Sequence, residues 1–65
     1  MRWPRSDGSL VSCTEKLRTL EENHVEARQV LQDAFEDGVL MGVDEAHMRR
    51  TLTDLVEVLH SPKRP

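Results

Sequence analysis

Leu10, Cys13, Leu17, Leu20, His24, Ala27, Leu31, Ala34, Gly38 and Met41 follow one another at alternating steps of 3 and 4. Such a repeat lays all of these positions along one stripe of an α-helix, and it cannot be reconciled with the two-residue period of a strand. No proline falls between Pro4 and Pro62, so the backbone itself permits a long helix. Val30 and Phe35 widen the stripe in its second half. A broad apolar face there points to bundle packing, whereas the narrow first half reads as a coiled-coil-like seam.

The ends of the helix are written in local motifs. Ser12-Cys13-Thr14-Glu15 has the S-x-x-E pattern of a capping box, which places the start near Cys13. In the stretch EDGVLMGVDEAH, Gly42 suits the left-handed residue that ends a helix, and Asp44 suits the cap of the next one. Val43 and Met48 are spaced as a hydrophobic staple around that cap. Gly38 is a rival stop, but ending there would strand Val39, Leu40 and Met41 in an apolar loop. The second helix then carries Met48, Leu52, Leu55, Val56 and Leu59 on one face, with Val58 off it, and stops before Ser61-Pro62. The fold expected is all-α: an antiparallel hairpin occupying 10–60, with helices over about 13–41 and 45–60 and a turn at 42–44. Residues 1–9 and 61–65 mix Pro, Gly, Ser and charge without periodicity and read as a disordered arm and tail. Trp3 then reads as an untethered side chain.

Length makes this hairpin incomplete. With 65 residues the chain is one small domain, and Cys13 is its single cysteine, so no internal disulfide can staple it. At 1.5 Å per residue the first helix spans ~43 Å and the second only ~24 Å. Folded back, the second covers about Glu26 to Met41, and Leu10, Cys13, Leu17, Leu20 and His24 are left without a partner inside the chain. A second copy is the simplest remedy. A homodimeric four-helix bundle would bury Leu10, Cys13, Leu17, Leu20, His24, Ala27 and Leu31 at its interface, with the small Ala27, Ala34 and Gly38 admitting close backbones.

Charge narrows the partners. The net charge is −3, with residues 9 to 61 holding 11 acids against 5 Lys and Arg, while the basic Arg2, Arg5, Lys63 and Arg64 lie at the ends. Nucleic-acid binding needs clustered basic side chains on a folded face, so here it is only a second alternative, weak and salt-sensitive. From Gln29 to Met48 there is no Lys or Arg. Asp33, Glu36, Asp37, Asp44 and Glu45 thus form an acidic tip that suits a basic protein partner. Asp33 and Asp37, four apart near a helix C-terminus, repel each other locally, and His60 sits where a helix end favours a cation.

Two spacings allow metal chemistry. Glu21-x-x-His24 puts a carboxylate and an imidazole on one helix face, as in di-iron bundles, and Asp44-x-x-His47 repeats the spacing. A divalent-metal bundle using Glu21, His24, Asp44 and His47 is therefore the first alternative function, although the other seam positions are Leu, Ala and Cys rather than ligands. Cys13 falls in a first turn, where amide dipoles can lower a thiol pKa, but no second thiol accompanies it and it reads as a small apolar filler. There is no phosphate-binding glycine loop, no nucleophile with its base, and no other cofactor motif. No segment has the apolar length of a signal peptide core or of a membrane span, so a cytoplasmic location is expected by default. The function these readings lead to is a small, non-enzymatic protein-interaction or regulatory module that acts as a helical homodimer.

Overall fold

The computed structural model describes residues 2–63, and among them the regular elements are two helices, α1 over Thr14–Leu40 and α2 over Glu45–Glu57. The chain divides into two compact units, Met1–Val30 and Leu31–Pro65, with the boundary inside α1. Met1, Arg64 and Pro65, which belong to the expected arm and tail, lie outside the described residues.

In the second unit, the end of α1 packs hairpin-fashion against α2. Gly42 takes φ +99, the Val43 N–H bonds the Gly38 carbonyl at 2.9 Å, and the Gly42 N–H bonds that of Val39 at 3.0 Å. These are the two bonds of a Schellman motif, which satisfies carbonyls left free at a helix C-terminus. Asp44 follows as the cap of α2, its Oδ2 accepting the His47 N–H at 2.9 Å. The corner sits where the glycine and the aspartate place it.

The residues half-buried along this stretch of α1 are Leu31, Phe35, Gly38 and Val39, facing half-buried Met48 and Leu52 of α2. Ala34, although on the 3-4 seam, is exposed. At 3.6 residues per turn Leu31, Phe35, Gly38 and Val39 share one arc of roughly 100° around the helix, and Ala34 falls outside it. α2 ends at Glu57, earlier than expected. The Leu59 N–H bonds the Val56 carbonyl at 3.2 Å in a tightened last turn, and Leu59 and His60 lie beyond the helix.

The first unit departs further from expectation. The segment read as a disordered arm is closed into a turn: Gly8, at φ +90, donates to the Arg5 carbonyl at 3.0 Å, and the Arg5 N–H donates to that of Ser9 at 2.6 Å. Pro4 and Leu10 form an isolated antiparallel bridge, and the Val11 N–H bonds the Trp3 carbonyl at 2.9 Å. Asp7 Oδ1 accepts from the Ser9 N–H at 2.9 Å and from Ser9 Oγ at 2.6 Å. Those bonds hold the Asp7 carboxyl below its usual range, the Ser9 hydroxyl foremost. Trp3 and Val11, paired across the turn, are half-buried, while the residues between them are exposed.

Candidate functional site

Leu17, Leu20 and His24 are the half-buried residues of α1 in the first unit, and Trp3 and Val11 are the half-buried residues of the arm. The Trp3 ring meets the His24 ring edge-on, with centroids 6.1 Å apart and planes at 77°, a favourable aromatic geometry. The seam expected to be bare is therefore partly covered by the chain's own N-terminus. Trp3, read as untethered, is half-buried against His24. The cover is loose, however: an open groove of about 380 Å³ lined by Val11, Glu15, Lys16, Thr19 and Leu20 remains beside it. The Trp3 indole N–H is shielded from solvent and has no acceptor among the described residues.

The other residues expected at a dimer interface are distributed unevenly. Leu31 is half-buried, but Leu10 is 47% exposed, and Cys13 and Ala27 are exposed as well. Cys13 is not the apolar filler expected. The Leu17 N–H bonds its carbonyl at 2.9 Å, which makes Cys13 rather than Ser12 the cap of α1. Glu15 thereby falls one position short of the third helical residue that closes a capping box. It stands instead 3.8 Å from Arg18, an exposed pair of little energetic weight. Backbone N–H groups of Lys16 and then Glu15 reach the Cys13 sulfur and pull the thiol pKa down, with smaller help from the charges of Lys16 and Arg5.

At the acidic tip, Asp33, Glu36, Asp37, Asp44 and Glu45 are all exposed. Their work is in part local, since Asp44 caps α2 and Glu36 Oε1 accepts from Gln32 Nε2 at 2.9 Å. Close by, Arg49 places its guanidinium 4.6 Å from the centre of the Phe35 ring. Glu21 and His24 share one turn of α1, and Asp44 and His47 are joined by the cap bond. Among the described residues no group of three or more His, Cys, Asp or Glu side chains converges as a metal site would need. Nor is any helix among them long and apolar enough to cross a membrane.

Apolar side chains left in water are the dominant surface feature. Among the described residues none is fully buried, and Leu40 is 85%, Met41 82%, Leu59 74% and Leu55 54% exposed. Compared with protein-family models, curated proteins and solved structures, the chain matches none of them.

Proposed function

We propose that this chain is a small non-enzymatic helical module that acts by association, in the first place with a second copy of itself, completing a four-helix bundle. The observation that carries the reading is unburied surface. A folded monomer of this length exposes roughly 4,200 Å², yet the chain exposes 6042 Å². The surplus of roughly 1,800 Å² per chain falls within what each partner of an obligate homodimer gives up. The Leu17–Leu20–His24 strip carries coiled-coil spacing, and Leu55 and Val56 extend the apolar side of α2 beyond the part that α1 covers. The exposed carboxylates of the tip are then the surface offered to a basic protein partner, where charge governs rate and salt dependence more than affinity.

Sedimentation equilibrium across the micromolar range tests the reading. The mass is expected to rise toward twice that of the chain as concentration increases, independent of added iron or zinc. A monomer at every concentration overturns it. A dimer that forms only with metal would favour a bundle built on two Glu21-His24 pairs.

A further inference from the structure

We propose that residues 2–11 form a displaceable strap: the arm and the α1 helix of a second copy compete for the same Leu17–Leu20–His24 strip, so that arm closure holds the chain monomeric and arm release lets it dimerise. The proposal rests on the self-association reading above and adds its regulation.

Competition follows from geometry. Trp3 and Val11 and the strip are mutually the half-buried residues of this unit, and the Trp3 ring stands against His24. The strip runs at steps of 3 and 4, the spacing into which a second helix inserts its own side chains. One strip cannot receive both. The occupant argued for is a second copy because its helix carries the matching repeat, and because the surface left exposed is of the size that a dimer removes.

Displaceability follows from how the arm is held. None of its residues is fully buried, and a groove stays open at Val11 and Leu20. Closing the arm shields the Trp3 indole N–H without giving it an acceptor, and release returns that donor to water. The turn depends on Gly8 at φ +90, a conformation that side-chain-bearing residues adopt only with strain. A segment with few buried contacts and an unmatched donor belongs at the low-stability end of a fold.

Three full-length proteins test it: wild type, Gly8→Val and Trp3→Ala. A Cβ at Gly8 meets nothing within 4 Å, so Gly8→Val acts on the turn and leaves the strip untouched. Each variant is expected to lower the dimer Kd about fivefold, as more of the chain occupies the open, binding-competent state. Trp3 is the single tryptophan, so wild-type emission is expected to shift red in step with the rise in mass. Circular dichroism checks that the variants keep their helix. A wild-type dimer whose emission stays blue, or variants whose Kd is unchanged or raised, would overturn the strap and leave self-association standing. A wild type that stays monomeric at every concentration would overturn both.

Discussion

The side chain of Met48 lies across the bare backbone of Gly38. A Cβ added at Gly38 would collide with Met48 Sδ and stand 2.6 Å from Cε and 2.9 Å from Cγ. Gly38 is thus not a helix stop but a position where a missing side chain makes room for Met48 of α2, a small-residue role within the chain rather than across a dimer. Gly38→Ala brings two opposed effects, a gain of roughly 0.5–1 kcal/mol in helix propensity and an overpacking cost of about 1–3 kcal/mol. The clash includes Cγ, which moves less freely than the thioether tip, so overpacking should win by about 1 kcal/mol. Urea unfolding of Gly38→Ala, Met48→Ala and the double variant checks this, with the double variant recovering the clash. A Gly38→Ala protein more stable than wild type would refute it.

The corner gives a second prediction, because its two determinants fail in different ways. Gly42 has open space around the missing Cβ, so Gly42→Val is penalised by φ +99 alone; the expected loss is about 1–2 kcal/mol. Asp44→Ala removes the acceptor of the His47 N–H and should cost about 1 kcal/mol. Asp44→Ser should retain most of the capping energy, whereas Gly42→Asn should be tolerated better than Gly42→Val. Equal losses for Asn and Val at 42 would show that something other than backbone conformation is at stake there.

The contrast between corner and arm shows what could be read from residues. Gly42 and Asp44 act through their own neighbours, so their roles follow from residue type and position. The pairing of Met48 with Gly38 depends on which turn of α1 meets α2, and the alternating 3-4 steps include Ala34, which is exposed, and omit Val39, which is half-buried. For the arm a signal was present in Asp7-Gly8, a turn dipeptide with Trp3 on one side and Leu10-Val11 on the other. Proline, glycine, serine and charge taken as composition resemble disorder and hide that signal. That Trp3 lands on His24 depends on the register of the turn over the helix, and no spacing in the chain encodes it.

Arg49 and Phe35 supply a third prediction. The guanidinium lies 4.6 Å from the ring centre, within the range where a cation is attracted to an aromatic face. At this partly solvated site Arg49→Ala should cost about 0.5–1 kcal/mol, and a double-mutant cycle with Phe35→Leu should return most of that as coupling. Arg50→Ala is the control, since an ordinary surface change stays within about 0.5 kcal/mol. A coupling energy of zero would mean that the two side chains are neighbours without interaction. High salt should weaken the coupling only modestly, because the ring carries no net charge to screen.

The last prediction concerns Cys13, the cap residue of α1. Amide N–H groups of Lys16 and Glu15 point at it and favour the thiolate, so the folded pKa lies below that of the unfolded chain. The sign of the linkage follows. The capping contribution of the thiolate is complete above the unfolded chain's thiol pKa, and it is lost as the pH falls through the lower folded value. Alkylation by iodoacetamide, followed against pH, should therefore reach half its limiting rate at a lower pH in the native protein than in the same chain in urea, the side chain being exposed in both. Cys13→Ser should keep the start of α1, because a hydroxyl oxygen accepts the same N–H groups at any pH, and it should flatten the pH dependence of helix content. Cys13→Ala should fray the first turn at every pH. A native alkylation midpoint at or above that of the urea-unfolded chain would show that the sulfur does not cap the helix.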